Sequence, residues 1–190
     1  ILKILEKIKY RLKRNWRVIM NRNSEYIFNE KILGDKDHAK KAQVGVDLSI
    51  ARIEKIEGEA SFDKDSKLSG VKYKEAPFGL SGSTKVYELE PMTNYAITFQ
   101  QGLETLKDNE WGLIVQRSSF LRAGCRVVSS IWDPGYGISA EEGMGTTLLT
   151  GNIPLKVPVG TRIAQLLIFD CEPVTKENLY NGRWQGTNNF

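Results

Sequence analysis

The stretch WGLIVQRSSFLRAGCRVVSSIWDPGYG, residues 111–137, decides the fold. Its apolar run up to Gln116 predicts one short strand, and the apolar run before Asp133 predicts a second. The Asp-Pro-Gly-Tyr sequence that follows indicates a turn, because proline fixes φ and glycine tolerates a positive φ. A cation, two hydroxyls and a carboxylate therefore stand at the ends of two short, stiff elements.

Arg117, Ser118 and Ser119 form the first polar cluster of this stretch. The two serines are expected to cap a short helix at 120–123, whose unpaired N–H groups and positive dipole end favour an anion. The Arg117 guanidinium adds a planar fork of donors, and Arg122 adds a cation one turn further on. The pattern is typical of a phosphate cradle, but plain capping beside a surface arginine would produce it equally well.

Asp133 and Tyr136 form the second cluster. A carboxylate held by a Pro-Gly turn beside a phosphate can orient and deprotonate a water molecule. The Tyr136 ring offers a flat face to a sugar or a base. An Asp that only stabilises its own turn gives the same sequence, so the local pattern leaves both interpretations open.

The chain on either side of this stretch is predicted to be mainly β. Strands are expected at 26–28, 42–56, 84–100 (two strands broken at Pro91), 146–150, 153–157 and 162–171. Residues 57–83 hold few apolar side chains and predict loops with one hairpin near 71–73. Many short strands separated by Gly and Pro turns, with almost no internal helix, favour an all-β sandwich or barrel.

The two ends of the chain differ from this central domain, 24–179. Residues 1–23 carry eight Lys or Arg and one Glu, a local charge of +7 in a chain of net charge +4. Apolar residues at spacings of three and four within 1–20 predict an amphipathic basic helix. We expect this helix to contact its own domain, another subunit, a partner protein or a membrane surface, and we expect no nucleic-acid binding. Residues 180–190 are rich in Gly and Asn and predict a mobile arm.

Composition excludes several kinds of chemistry. The single histidine, His38, lies in a charged run, and the two cysteines have no metal-ligand spacing, which argues against a zinc site or a Ser-His-Asp triad. A P-loop motif is absent from the sequence. Cys125 and Cys171 are expected to be buried free thiols. With no secretory signal or transmembrane run predicted, we expect a cytoplasmic protein.

Five segments in order resemble the motifs of the trimeric dUTPase and dCTP deaminase superfamily. They are VGVDL at 44–48, QRSSFLRAG at 116–124, IWDPGYG at 131–137, GTRIAQLLI at 160–168 and YNGRWQG at 180–186. The last segment resembles the carboxyl-terminal motif in its deaminase-like form. The resemblance implies a distorted jelly-roll β-fold, here with an added N-terminal helix, and a homotrimer with active sites between subunits.

The resemblance also implies roles for individual residues. Asp133 matches the carboxylate that positions the attacking water, and Tyr136 matches the ring that packs on deoxyribose, with Trp184 in the arm that closes over the nucleotide. Phosphate contacts are implied for Arg117, Ser118, Ser119, Gln165 and Arg183, with Asp47 and Arg122 in support. Mg²⁺ is expected to arrive mainly with the substrate phosphates, with Asp47 or Asp133 as a further ligand.

One departure from the deaminase branch narrows the predicted reaction. Leu149 stands where that branch carries the Glu that handles proton transfer at the base. We therefore predict a Mg²⁺-dependent dUTP diphosphatase, in which water attacks the α-phosphate to give dUMP and pyrophosphate. The alternatives are a dCTP deaminase or bifunctional enzyme, with Glu141 or Glu142 of the insertion 138–144 replacing the missing acid, and a non-catalytic nucleotide-binding or interaction protein of the same fold.

Overall fold

The computed structural model describes residues 21–65, 67–139, 141–182 and 185–186. The predicted N-terminal helix, apart from residues 21–23, and the predicted site residues Arg183 and Trp184 lie outside these ranges.

The strands are β1 Ile32–Gly34, β2 Lys40–Lys41, β3 Val46–Phe62, β4 Leu68–Glu75, β5 Phe78–Ser81, β6 Thr84–Leu89, β7 Asn94–Phe99, β8 Gln101–Leu103, β9 Glu110–Gln116, β10 Arg126–Val127, β11 Ile131–Trp132, β12 Gly145–Leu149, β13 Leu155–Pro158 and β14 Arg162–Asp170. The helices are α1 Ser24–Tyr26, which continues into a π-helical turn at Ile27–Lys31, α2 Ser118–Arg122 and a 3₁₀ turn at Lys176–Asn178.

Within the described residues, nine of these strands form one antiparallel sheet. Its main path runs β10-β12-β7-β3-β14-β9-β11, and β2 and β4 also pair with β3. A pair, β1-β8, and a three-stranded sheet, β13-β6-β5, complete the domain. This mainly β architecture confirms the fold class predicted from the strand pattern.

The long strand β3 organises the sheet because it changes partners along its length. Its start pairs with β14, its middle pairs with β7 across a bulge between Ile50 and Arg52, and its end pairs with β4. Residues 46–50 are buried on both faces, as expected for a strand that lies between two packed layers. Asp47 belongs to this buried part, so β3 carries a carboxylate inside the sheet.

A buried ion pair fixes the segment that precedes β1. Glu110, at the start of β9, is fully buried and accepts a 2.7 Å contact from the equally buried Lys31. The Tyr26 hydroxyl and the backbone N–H of Lys107 also donate to the Glu110 carboxylate. Burial raises the pKa of Glu110, but these donors outweigh it and leave that pKa below its ordinary value.

Two sequence predictions of secondary structure were wrong. Residues 26–28, predicted as a strand, lie inside a helical segment that begins at Ser24, because the Asn23 side chain accepts the Tyr26 N–H at 2.8 Å and caps it. Residues 57–83, predicted as mostly loop, extend the hairpin of β3 and β4 and contain β5. The outer half of β3 is exposed, so the apolar alternation that marks a half-buried strand is missing there.

Two further sequence predictions concern the state of the two cysteines and the absence of a membrane-spanning segment. Cys125 is buried and Cys171 is half-buried, and both are free. Among the helices that the structure describes, none has the length and apolarity required to cross a membrane.

Candidate functional site

Three neighbouring strands bring Asp47, Arg117 and Gln165 together. Asp47 of β3 lies opposite Gln165 of β14 in the ladder, and Arg117 directly follows β9, which borders β14 on its other side. The Arg117 backbone N–H donates to the carbonyl of Ile163 at 2.9 Å and so keeps the residue beside β14. Three segments that are far apart in the sequence thus meet on the neighbouring strands β3, β14 and β9.

The side chains of this cluster form a connected network. The Asp47 carboxylate forms an ion pair with Arg117, with Nε 3.1 Å from Oδ2, and accepts a hydrogen bond from Gln165 Nε2 at 3.3 Å. Arg117 also donates through Nη1 to the carbonyl of Arg162 at 3.0 Å. Asp47 is buried, whereas 35% of the Arg117 side chain is exposed, so the pair orients a guanidinium that solvent and ligands still reach. A guanidinium has five N–H donors in a rigid fork, and this geometry suits a phosphate or carboxylate ligand.

An open groove of about 700 Å³ lies over this network. Besides Asp47, Arg117 and Gln165, its lining includes Ser118, which the sequence predicted, and Lys40, Lys41 and Gln43, which it did not. These three missed residues come from β2 and the turn after it, a polar region that carries no apolar periodicity. The one signal in the sequence was the pair of lysines itself, since a lysine ammonium binds phosphate as a point charge.

The helix after Arg117 starts two residues earlier than predicted and is capped differently. Arg117 itself occupies the N-cap position of α2, and its side chain forms no capping hydrogen bond. Ser118 and Ser119 lie inside the helix with exposed side chains, so the expected capping by these serines was wrong. Ser118 lines the groove, while Ser119 and Arg122 are exposed outside its lining.

Asp133 and Tyr136 lie at the other end of β9. Asp133 is exposed after β11, while Tyr136 is 8% exposed and stacks on Trp132 with ring centroids 5.7 Å apart. Burial, with a smaller contribution from Tyr180, raises the pKa of Tyr136 to about 12, so its ring stays neutral beside any anion.

The C-terminal segment packs against the turn that carries Asp133. The Tyr180 backbone N–H donates to the carbonyl of Pro134 at 2.8 Å, and the Tyr180 ring meets Tyr136 edge to face at 5.4 Å. Gln185 Nε2 donates to the carbonyl of Gly135 at 2.9 Å. The described part of the predicted arm is therefore in contact with this turn, and the mobility of residues 180–190 stays a prediction.

A single chain does not bring the two halves of the predicted site together. Trp132 pairs with Gly112 on β9, and Arg117 lies five residues beyond Gly112, which at about 3.4 Å per residue is about 17 Å. Asp133 also takes no part in lining the groove over Asp47. The water-orienting carboxylate and the phosphate network are thus at opposite ends of one strand.

The described ranges contain no metal cluster, and the carboxylates near β12 belong to the loop before it. The same ranges contain no group of three or more His, Cys, Asp or Glu residues able to hold a metal ion. Leu149 is half-buried on β12, opposite Asn94 and Arg126, and contributes no acid. Glu141 and Glu142 are exposed, in the loop before β12.

These features define a β-domain with a cation-bearing polar groove, and comparison with known proteins identifies its family. The probable deoxyuridine 5'-triphosphate nucleotidohydrolase of Aeropyrum pernix is 34% identical over 145 residues, which are 75% of this chain and 82% of that protein. The deoxyuridine 5'-triphosphate nucleotidohydrolase of Methanocaldococcus jannaschii is 31% identical over 144 residues, 74% of this chain and 86% of that protein. The chain belongs to the dUTPase and dCTP deaminase superfamily, as the five ordered motifs predicted.

A solved structure agrees with this assignment at the level of the fold. The 2'-deoxycytidine 5'-triphosphate deaminase of Agrobacterium tumefaciens matches with a TM-score of 0.56 at 12% identity, over 83% of this chain. The match covers 50% of that chain, so this protein spans about half the length of the deaminase. No family model matches the sequence.

Proposed function

We propose that this protein hydrolyses dUTP to dUMP and pyrophosphate. The observation that carries the proposal is the network of Asp47, Arg117 and Gln165, which presents an oriented guanidinium in an open polar groove. Such a group neutralises phosphate charge, and charge neutralisation with correct positioning supplies most of the catalysis in phosphoryl chemistry. The names of the archaeal relatives support dUTP as the substrate.

In this mechanism, Arg117, Gln165 and Ser118 hold the phosphates, and Asp47 keeps Arg117 in place. Asp133 orients a water molecule towards the α-phosphate and accepts its proton as the bond to the leaving pyrophosphate breaks. The neutral Tyr136 ring lies against the deoxyribose. Ser119 and Arg122 are exposed beside the groove and are assigned supporting contacts with the phosphates.

The complete site requires more than one copy of the chain. Since Trp132, the residue before Asp133, already lies about 17 Å along β9 from Arg117, one nucleotide meets Asp133 and Arg117 only if Asp133 comes from a neighbouring copy. We assign this role to a homotrimer, in which a threefold rotation would bring the Asp133 turn of one subunit beside the groove of the next. Exposed apolar side chains of the same region, Leu121, Val128 and Ile131, would be covered by that contact.

The carboxylates present fit a magnesium ion that arrives with the substrate. Both Asp47 oxygens are already engaged, Oδ2 by the Arg117 ion pair and Oδ1 by the Gln165 amide, so Asp47 is a poor first ligand. The exposed Asp133 carboxylate is free to coordinate, and Mg²⁺ commonly binds through one carboxylate, substrate phosphates and water. When bound, the ion would neutralise charge on the phosphates.

The C-terminal arm is assigned to closure over the nucleotide. Gln185 and Gly186 donate to the carbonyls of Gly135 and Gly137, at 2.9 Å in each case, which seats the arm on the turn that carries Asp133. Arg183 then adds a phosphate contact and Trp184 covers the sugar or base. Closure of this kind excludes water from the site.

The products formed from different nucleotides test this proposal. Purified protein is incubated with dUTP, dCTP and dTTP, with and without Mg²⁺, while pyrophosphate and ammonia are measured. We expect pyrophosphate from dUTP in the presence of Mg²⁺ and no ammonia from dCTP, because Leu149 replaces the proton-transferring acid. Ammonia release from dCTP would establish the deaminase, and tight dUTP binding without pyrophosphate release would establish a non-catalytic protein.

Substitution of Asp133 tests the mechanism. We expect Asp133→Asn to lower kcat for dUTP by about a thousandfold, because the amide cannot accept the proton of the attacking water. The thermal unfolding midpoint and the oligomeric state should not change, since Asp133 is exposed. Asp65→Asn, on the exposed end of the β3–β4 hairpin, is the matched control and should retain full activity. Turnover by Asp133→Asn at the rate of the parent protein would refute the assignment.

A further inference from the structure

The hairpin of β2 and β3 places Lys40 on the same face as the groove network. Lys40 lies directly opposite Asp47 in the antiparallel ladder. Directly opposed residues project to the same face of a sheet, with Cβ atoms about 5 Å apart. Lys40 therefore shares the face on which Asp47 meets Arg117 and Gln165, and it lines the groove.

The adjacent lysine is directed elsewhere. Successive side chains of a strand point to opposite faces, so Lys41 projects away from Asp47. Its Nζ contacts Glu25 Oε2 at 2.6 Å and lies 5.5 Å from the centre of the Phe28 ring. Lys41 also belongs to the lining of the groove, but its ammonium is already paired with Glu25.

The position of Lys40 is fixed by a tight turn. The Ala42 N–H donates to the carbonyl of Gly45 at 2.8 Å and closes the hairpin. Gly45 packs so closely on β14 that an added Cβ would collide with the carbonyl oxygen of Leu166. Because Leu166 follows Gln165, the close packing holds the hairpin, and Lys40 with it, against the strand that carries Gln165.

The charges in the groove leave Lys40 uncompensated. The charge of Arg117 is balanced by Asp47, and that of Lys41 by Glu25. Lys40 is exposed and, in the part of the chain that the structure describes, has no acidic partner within ion-pair distance. A polyphosphate that enters the groove therefore meets one net positive charge from this chain, and Lys40 supplies it.

We propose that Lys40 is a polyphosphate-binding residue of the groove, acting beside Arg117 and Gln165. The inference rests on the proposed function for the identity of the substrate, but the charge argument applies to any polyphosphate. Lys40 is expected to act as a mobile point charge, because an ammonium on a flexible stem binds phosphate without the directional fork of Arg117.

The experiment compares Lys40→Ala with Lys41→Ala, two variants that lose the same charge from adjacent positions of one strand. Binding of inorganic triphosphate is measured by calorimetry at two salt concentrations, and dUTP turnover is measured in parallel. We expect Lys40→Ala to weaken triphosphate binding about tenfold and to raise KM for dUTP by a similar factor with kcat nearly unchanged. Lys41→Ala should change either quantity by about twofold or less.

Two further variants strengthen the comparison. Lys40→Arg keeps the charge and should restore binding to within about threefold of the parent protein. Lys40→Gln keeps a long polar side chain without the charge and should bind as weakly as Lys40→Ala. The loss in both neutral variants should shrink at high salt, because exposed charges are screened.

The outcomes separate this inference from the proposed function. Triphosphate binding by Lys40→Ala at the parent affinity, or equal losses in Lys40→Ala and Lys41→Ala, would overturn the role of Lys40. No binding of triphosphate by the parent protein would overturn it as well. Failure of the parent protein to release pyrophosphate from dUTP would instead refute the proposed function, while the calorimetric comparison would still decide the role of Lys40.

Discussion

The two ends of strand β9 carry the same kind of ion pair in different surroundings. At its start, the side chains of Glu110 and Lys31 are 0% and 3% exposed and 2.7 Å apart. Just beyond its end, Asp47 is similarly buried, but 35% of its partner Arg117 is exposed to the groove. Each pair consists of one carboxylate and one cation, so the amount of water at the cation is the main difference between them.

This difference separates a structural pair from a binding pair. The Glu110 carboxylate accepts from Lys31, Tyr26 and the Lys107 amide, and Lys31 also donates to the carbonyl of Thr105 at 2.9 Å, so both partners are enclosed. The buried Glu110–Lys31 pair links the segment before β1 to β9, and neither of its charges is accessible to a ligand. At the other end, Asp47 contacts Nε of Arg117 and the Arg162 carbonyl accepts from Nη1, while 35% of the Arg117 side chain stays exposed. A partly exposed guanidinium of this kind can still bind an anionic ligand.

The largest effect is expected from Glu110→Gln. This change leaves Lys31 buried without its counter-charge, and breaking a buried pair on one side costs about 3–5 kcal/mol of unfolding free energy. Urea denaturation of the variant and of the exposed control Glu30→Gln measures the difference. A loss of unfolding free energy below about 1 kcal/mol would show that the Glu110–Lys31 pair stabilises the fold no more than the Asp47–Arg117 pair does.

A smaller effect, in binding instead of stability, is expected from Arg117→Lys. The charge is kept but the fork is lost, so triphosphate affinity should fall about tenfold to thirtyfold, or about 1.4–2 kcal/mol. Unfolding free energy should change by less than about 1 kcal/mol, because the cation is partly exposed. Arg126→Lys, an exposed change on β10, is the control. If Arg117→Lys lost stability but bound triphosphate normally, the Asp47–Arg117 pair would be a structural pair and not a binding pair.

The smallest expected effect is the loss of folding stability at acidic pH. Because the pKa of folded Glu110 lies below its ordinary value, the carboxylate stabilises the fold fully above the unfolded pKa, near 4.3. That contribution is lost as the pH falls through the lower folded pKa. Urea midpoints between pH 7 and pH 3 should therefore fall more steeply for the parent protein than for Glu110→Gln. Parallel pH profiles would show that Glu110 makes no such contribution.

Much of the fold followed from local patterns in the sequence. Alternation of apolar residues located the buried part of β3, and Pro91 separated β6 from β7. The Asp-Pro-Gly sequence located the turn after β11. The failures have local causes too: residues 26–28 form a helical turn capped by Asn23, and the outer half of β3 shows no apolar alternation because neither face is buried.

The candidate site was only partly readable from the sequence. Arg117, Gln165 and Asp47 were assigned through motif resemblance, and the structure joins all three in one network. Lys40 was missed because its position depends on pairing with Asp47 across the hairpin, which no spacing within 35–41 reveals. The capping role of Ser118 and Ser119 was predicted, but Arg117 took the N-cap position instead.

The sequence by itself determined the mainly β class, the order of the motifs and the residue types available for binding phosphate, because these depend on local periodicity and turn chemistry. Only the tertiary structure decided which residues meet. It enclosed Glu110 with Lys31, left Arg117 open on Asp47, and separated Asp133 from Arg117 by the length of β9. These outcomes depend on the register of strands far apart in the chain, and register is set by the burial of whole faces rather than by any one segment.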